Sequence, residues 1–447
     1  MITIKKVSGG VSVPDKKHLS EDSPIEFPGI PQELVLFVSQ HTGAPSRPVV
    51  KPKDAVKRGQ IIAEPQGAIS AALHAPTSGV IKSIEPRFHP VQGRMVDAII
   101  MQPDGLHDDS GALAPIASNL DEIAPERLRE TARQMGLVGL GGAAFPTDVK
   151  LSPPKDKPID TYLLNGAECE PYLTADYRLM VEEPEKVVFG FRAFMKASGV
   201  RRGIVCIEDN KPKAIEAVKR AIEPFDGIEL AVLTSRYPRG GEKQLIQAVL
   251  GREVPPPPGL PLDVGVIVSN VGTAYAMAEG ILEGLPLVER IVSVTGEGIK
   301  KPSNFRTLIG TPISFLIEKA GGYNGTPRKV IMGGPMMGMA VKELEVPVLK
   351  GTSGVLVLRK EQVTEEPILQ CVRCGKCVDA CPMRLQPLWI AAYSERGLID
   401  QAENARAMDC CECGACAFVC PAKRPLVQWI KMAKSSISAR RRAQRSQ

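Results

Sequence analysis

The sequence predicts a multidomain protein of mixed α/β and α+β class, and three observations carry that expectation. The first quarter holds short β-branched runs punctuated by glycine and proline, which read as strands. The middle alternates strand-like apolar runs with helix-period segments, the pattern of a largely parallel sheet with covering helices. Near the end, two runs of four cysteines share one spacing and one closing proline: Cys371-x2-Cys374-x2-Cys377-x3-Cys381-Pro382 and Cys410-x2-Cys413-x2-Cys416-x3-Cys420-Pro421. At 447 residues the chain has room for roughly three domains with cores of their own.

Residues 1–27 read as an N-terminal segment and 28–110 as a β-rich module, with strands near 34–38, 61–63 and 80–84. The stretch 73–81, Leu-His-Ala-Pro-Thr-Ser-Gly-Val-Ile, resembles the half-barrel turn of lipoyl and biotinyl domains. The opposing turn, residues 66–70, offers no lysine for covalent attachment, so the module reads as structural or docking.

Residues 111–286 form the α/β region. Leu128, Ala132 and Met135 recur at helical spacing and run straight into a glycine-rich loop with Gly139, Gly141, Gly142 and Lys150. A dinucleotide fingerprint follows a strand, whereas this loop follows a helix, which weakens a classical Rossmann reading. Its glycines still let backbone amides approach a phosphate or a flat ring, and Lys150 could neutralise a phosphate; a tight structural loop is the alternative. A buried strand at 162–164 ends in Asn165-Gly166-Ala167-Glu168-Cys169-Glu170-Pro171-Tyr172. Glu168 and Glu170 at a strand end suit nucleotide hydroxyls or a nicotinamide amide, and the alternative is that they cap the next helix. Strands near 203–207, 228–233 and 264–268 follow, with Gly240-Gly241-Glu242-Lys243 and Asn270-Val271-Gly272-Thr273 in the loops between.

Residues 287–350 read as a compact α+β unit, with strands near 291–295 and 330–332, a helix at 313–320, and a tight turn at 333–338 with core methionines. Residues 351–365 read as a linker, 366–430 as the cysteine-bearing region and 431–447 as a basic tail. In each cysteine run three thiolates two residues apart can wrap one corner of an iron–sulfur cube, while the fourth reaches the neighbouring cube. Cys371, Cys374, Cys377 and Cys420 are therefore assigned to one [4Fe–4S] centre, and Cys410, Cys413, Cys416 and Cys381 to the other. Zinc sites read instead as separated C-x2-C pairs. Cys411 falls outside both sets. Between the runs Leu388, Ala392 and Tyr393, then Leu398, Ala402 and Ala405, recur at helical spacing and predict a helical hairpin.

Charge excludes some function classes. The net charge is +6, and residues 431–447 carry six basic side chains and no acid, so that without them 50 basic residues balance 50 acidic ones. Basicity is a tail property, which argues against a nucleic-acid domain and for a contact with anionic lipid or an acidic partner, or for a solvated end. His18, His41, His74, His89 and His107 all lie in the first quarter, so no histidine base adjoins the glycine-rich or cysteine-rich stretches. Cofactors are expected to carry the chemistry. Eleven cysteines and an opening without an apolar signal run predict a reducing, cytoplasmic setting. The most apolar window, 264–278, contains Ser269, Asn270, Gly272 and Thr273 and falls short of the ~20 apolar residues of a spanning helix.

The loop 139–150 is similar to the flavin segment of the NADH-binding flavoprotein subunit of respiratory complex I. Residues 165–171, Gly240-Gly241-Glu242 and Asn270-Val271-Gly272-Thr273 are similar to its other FMN and NADH segments, in the same order. With the opening Gly9-Gly10 and Pro14 and the closing cysteine runs, the whole chain resembles the C-subunit family (RnfC) of Rnf ferredoxin:NAD+ oxidoreductases. The resemblance implies a barrel-sandwich module, a Rossmann-like flavin domain, a β-grasp unit of the soluble-ligand-binding (SLBB) type and a helical dicluster ferredoxin domain. It implies non-covalent FMN, two [4Fe–4S] clusters and NAD(H) as substrate. Around flavin and nicotinamide it assigns Gly139, Gly141, Gly142, Lys150, Asn165, Glu168, Glu170, Gly241, Glu242, Asn270 and Thr273, with Glu168 and Glu170 as the catalytic carboxylates. Ala167, Tyr172, Lys243 and Ser269 depart from the complex I pattern. Expected partners are the other subunits of a membrane-bound, ion-translocating complex, with ferredoxin reached indirectly and no nucleic acid. The expected location is peripheral, on the cytoplasmic face of the inner membrane. The alternatives are a related NADH-dependent cobalamin reductase, which lacks the residues before the flavin loop, and a cluster-only electron relay.

Overall fold

A computed structural model describes residues 2–4, 9–106, 113–363 and 366–445; His107, Thr364 and Glu365 lie outside the described residues. Five strands make one parallel sheet in the order Ile2–Ile4, Ile228–Leu233, Arg202–Glu208, Thr161–Gly166, Val266–Asn270. Its central strands are continuous apolar runs because both faces are covered. Tyr162 and Leu164 pack under the helix Pro184–Ser198, while Leu163 and Ile204 face Leu245 and Ile246 of the helix Glu242–Leu250. The helices Pro184–Ser198 and Val271–Leu282 cross at Gly190, where any Cβ would collide with the Ala274 carbonyl. The strand expected at 264–268 begins two residues later, because Pro261–Val264 forms a 3-10 turn closed by Gly265 at φ 72°.

The second sheet has six strands: Met339–Val341, Pro327–Met332, Gly354–Arg359, Glu289–Thr295, Ser303–Leu308 and Ile25–Glu26. Ile313, Leu316 and Ile317 of the helix Ile313–Lys319 fill one face. Three expectations are corrected here. The stretch 351–365, read as a linker, carries a central strand, because Val355, Leu356 and Val357 are fully buried between two neighbours. The opening 27 residues do not stand apart: Ile2–Ile4 extends the parallel sheet and Ile25–Glu26 the mixed one. Of the two methionines in the turn 333–338 only Met336 packs on a core, beside Val11 and Tyr237, while Met337 is 51% exposed.

The β-rich module folds as a four-stranded and a three-stranded sheet around Leu34, Leu36, Phe37, Ile62, Ile81 and Ile99. At the other end, the helices Pro387–Glu395 and Ile399–Asn404 form the expected hairpin. The helix Leu426–Arg445 packs on both through Ile430, Ala433 and Ile437. The residues read as a basic tail thus continue a packed helix, and their charges meet acids: Lys431 and Lys434 pair with Glu412, Arg440 with Asp400 and Glu403, Arg441 with Glu403.

Lys350 ties three regions together. Its Nζ donates to the Ala72 carbonyl of the β-rich module at 2.7 Å and to the Gly136 carbonyl ahead of the glycine loop at 2.8 Å, while its backbone N–H reaches Gln40 Oε1 at 3.0 Å. Burial holds this amine down to about 7, from an ordinary 10.5. Between those values the unfolded chain binds the proton more tightly than the folded one, so this residue makes unfolding free energy rise with pH through the window. Lys350→Met should remove that contribution. Denaturant titrations at several pH values between about 7 and 10 should show the wild-type-minus-variant difference moving in favour of the wild type as pH rises, and a difference independent of pH would refute it.

Candidate functional site

Strand order marks a crevice. The chain builds outward from Thr161–Gly166 through Arg202–Glu208 to Ile228–Leu233, then returns to lay Val266–Asn270 on the other side of Thr161–Gly166. Ligands of open α/β sheets sit outside the carboxyl ends of strands at such a switch point. Asn165 and Asn270 are register partners at that edge. Asn165 donates to the Gly240 carbonyl at 2.8 Å and accepts from Ala167 N–H at 3.0 Å, drawing the Gly240-Gly241-Glu242 turn to the strand end. Asn270 caps the helix Val271–Leu282 by accepting from Gly272 N–H at 2.8 Å, and its Nδ2 donates to Asp176 at 2.6 Å.

The glycine loop lies over this edge. Gly139 N–H donates to the Phe145 carbonyl at 2.8 Å, which closes the loop, and Leu140 N–H donates to Thr273 Oγ1 at 2.9 Å, which fastens it to the helix start. A Cβ on Gly141 would stand 2.9 Å from the Asn270 side chain, so that glycine is required by close approach. Gly142 is exposed with no neighbour within 4 Å of where a Cβ would stand, leaving backbone open to a ligand. Lys150 Nζ donates to the Val268 carbonyl at 2.7 Å and lies 3.5 Å from Glu242, the first residue of a helix whose amino end has no side-chain cap. Open amides, an uncapped helix start and one lysine make a fitting cradle for a phosphate-bearing flat ring.

The two carboxylates read as catalytic are otherwise engaged. Glu168 accepts from Asp176 N–H at 3.0 Å and Tyr177 N–H at 3.3 Å, capping the helix Ala175–Glu182. The capping alternative is the one the geometry satisfies, because a carboxylate buried beside open helix amides binds them first. Glu170 accepts from Met336 N–H at 3.1 Å and Met337 N–H at 2.9 Å, clamping the turn of the second sheet to the crevice. Burial raises the proton affinity of both carboxyls. Beneath them, burial lowers that of Lys17, whose Nζ stands 4.0 Å from Glu168. At Lys211 burial pulls down but the charges of Glu208 and Glu168 prevail, and its proton is held more tightly than usual.

Cys381, Cys410, Cys413 and Cys416 line one cavity and make an inner ring. Cys377 and Cys420 border an adjoining cluster of side chains that also holds Cys416. Cys381 thus stands with three cysteines of the second run, where the crossed assignment expects it. The inner ring is largely buried, whereas Cys371 and Cys374 are exposed. Among the described residues no three His, Cys, Asp or Glu side chains converge as tightly as one metal ion requires; four thiols around a cavity are instead what the separate corners of a cube need. Burial pushes the Cys410 thiol up to about 11 and Cys416 to about 12, so a cationic centre is what would hold them as thiolates. Cys411, outside the motif, borders the same cavity.

Lys17, Asp176, Tyr237 and Arg290 went unassigned by sequence reasoning. Arg290 is buried and donates to the Thr352 and Leu140 carbonyls at 3.1 and 3.2 Å. Asp176 alone had a local signal, an acid in the first turn of a helix.

Four family models match the chain: the RnfC barrel sandwich hybrid domain over residues 5–106, the Nuo51 FMN-binding domain over 132–279, the SLBB domain over 291–340 and the 4Fe-4S dicluster domain over 370–424. The chain is 46% identical, over 97% of each chain, to the C subunit of the Na+-translocating ferredoxin:NAD+ oxidoreductase complex of Acetobacterium woodii. It is 45% identical to the proton-translocating counterpart of Clostridium ljungdahlii, over 98% of this chain and 95% of that one. Against the C subunit of the ion-translocating oxidoreductase complex of Rhodobacter capsulatus identity is 41%, over 97% of this chain and 83% of the other.

The crossed rings set an expectation for single replacements. Cys381→Ser should damage the centre held by Cys410, Cys413 and Cys416 and leave that of Cys371, Cys374, Cys377 and Cys420, lowering iron from about eight to about four per chain. Iron analysis with electron paramagnetic resonance checks this, and loss of the outer centre's signal instead would disprove the crossed assignment.

Proposed function

The chain belongs to the family of C subunits of ion-translocating ferredoxin:NAD+ oxidoreductase complexes, and on that premise we propose that it is the complex's electron-transfer subunit, exchanging hydride between NAD(H) and FMN and single electrons with two [4Fe–4S] clusters. Bound FMN supplies the conversion between the two electrons of a hydride and the one electron each cluster takes. The observation that carries this reading is the switch-point crevice between Asn165 and Asn270, roofed by a glycine loop and joined in one fold to two cysteine rings.

Within the crevice the residues divide their work. Gly139, Gly141 and Gly142 hold backbone against the flavin, and Lys150 meets its phosphate, exchanging its distant pairing with Glu242 for a closer anion. Asn165, Gly241, Asn270 and Thr273 keep the surrounding turns and helix starts in place, which preorganises the pocket. Glu168 and Glu170 act through structure, one as a helix cap and the other as a clamp, and Glu242 is the carboxylate left facing the opening, 42% exposed.

No helix among the described residues is long and apolar enough to cross a membrane. Attachment to the complex is therefore peripheral, and we assign it to the cytoplasmic face. With Lys431, Lys434, Arg440 and Arg441 paired to acids of the same chain, a salt-sensitive lipid contact by that segment loses support, and the β-rich module becomes the favoured docking surface.

Adding NADH to the purified holoprotein should bleach the flavin band before the cluster absorbance falls; reduction of neither, with clusters present, would support a cluster-only relay and overturn this reading. Lys150→Ala should weaken FMN retention by about 1.5–3 kcal/mol, the worth of a charge-assisted hydrogen bond. Flavin fluorescence released on dialysis measures it, and retention equal to wild type would remove Lys150 from the phosphate site.

A further inference from the structure

Gly9, Gly10 and Tyr237 belong to no cofactor loop, yet they meet at the seam between the parallel-sheet domain and the cysteine region. Gly9 and Gly10 adopt φ of +66° and +74°; a Cβ on the first would stand 2.8 Å from the Cys381 carbonyl oxygen, and one on the second 2.5 Å from that of Tyr237. Gly10 N–H donates to the Ala380 carbonyl at 3.0 Å, and Val11 and Tyr237 exchange both backbone hydrogen bonds at 2.8 and 2.9 Å. Arg236 holds the Gly9 and Gly10 carbonyls at 2.8 and 3.0 Å. The Tyr237 hydroxyl donates to the Cys413 carbonyl at 2.6 Å and lies 3.3 Å from Glu170 Oε1, at the edge of the crevice. On the same seam a Cβ on Gly414 would stand 2.8 Å from the Met336 carbonyl oxygen.

The contacts that cross to the cysteine region, at Ala380, Cys381, Cys413 and Gly414, all fall on or beside Cys381 or Cys413, members of the inner ring. The outer ring's neighbouring contacts, Leu369 N–H to the Ala422 carbonyl and Arg424 to the Leu369 carbonyl, stay inside the cysteine region. Two glycines are the thinnest spacer a chain can offer, and electron exchange weakens steeply with separation.

We propose that Gly9, Gly10 and Tyr237 are positioning residues that hold the Cys381, Cys410, Cys413 and Cys416 ring against the flavin crevice, so that its cluster is the flavin's neighbour and the cluster on Cys371, Cys374, Cys377 and Cys420 faces outward. This rests on the proposed function, in which the chain carries FMN and both clusters. The Tyr237 hydroxyl points a donor at the backbone of an inner ligand. That bond ends on the Cys413 carbonyl and not on a sulfur, so Tyr237 acts by fixing the backbone of an inner ligand and tunes the inner centre's potential while leaving the outer one's alone.

The test is a redox titration of holoprotein carrying Tyr237→Phe, followed by electron paramagnetic resonance. One cluster should shift in potential and the other stay put, with FMN and iron content at wild-type levels. The shift should persist when Cys371→Ser removes the outer cluster and vanish when Cys413→Ser removes the inner one. Unmoved potentials, even with a lowered melting temperature, would leave Tyr237 merely structural and overturn the proposal, as would a shift confined to the outer cluster. Gly10→Ala should slow cluster reduction after NADH addition while flavin bleaching keeps its wild-type rate; if that variant does not fold, Tyr237→Phe decides alone. Wild-type protein lacking flavin or clusters would count against the functional reading instead.

Discussion

A buried lysine holds the domains in register. Lys17 is 3% exposed, and its ammonium donates to the carbonyls of Glu170 and Leu173 at 3.0 and 2.5 Å beneath the Glu168 carboxylate. A buried cation costs far more than it returns unless its partners are all in place, so the insertion is close to all-or-none. It anchors a strap that runs through the whole molecule. Upstream, Ile2–Ile4 edges the parallel sheet and Gly10 binds Ala380; downstream, Ser20, Thr174 and Asn304 share hydrogen bonds at 2.8 to 2.9 Å, and Ile25–Glu26 edges the mixed sheet. Three regions are thereby locked around one crevice.

The same edge shows how a binding site can be stiff without using its charges on the ligand. Glu168, Asp176, Glu208, Lys17, Lys211 and Arg290 are all buried or nearly so at the carboxyl end of the sheet, and they satisfy one another, helix amides or carbonyls. Their work is to fix loops. The groups left open above them are backbone and the Lys150–Glu242 pair, which suits a cofactor recognised by shape and phosphate and leaves electron transfer to cofactors rather than side chains.

The cysteine region answers a different problem. The helix Leu426–Arg445 packs beside cysteines of both runs and makes the region one folding unit. One ring is pressed into the seam and the other left near solvent, so the two centres differ in surroundings although their motifs are copies. Exposure and hydrogen bonding tune cluster potentials, and here both differ between copies.

Much of this was legible in the sequence because its signals are local. Cluster ligands repeat at fixed spacing, strands of a covered sheet read as apolar runs, and glycines mark where backbone must approach closely; the ring membership of Cys381 follows from the length of one short segment. What the sequence could not decide were partners chosen across long separations. Nothing near Glu168 says that its carboxylate will meet amides eight and nine residues on rather than a ligand, whereas the apolar run 355–358 carried a strand signal of its own and only its central place between two neighbours needed the fold. Lys17 finds carbonyls more than 150 residues away, and Tyr237 a carbonyl 176 residues away. The basic residues after 430 looked like a free tail because their acids lie 19 to 40 residues upstream. Cysteine spacing determined the two clusters, and the resemblance of the glycine loop to known flavin segments the FMN. Only packing decided which carboxylates were left open and which cysteines were buried, because burial and hydrogen-bond satisfaction are properties of neighbours in space.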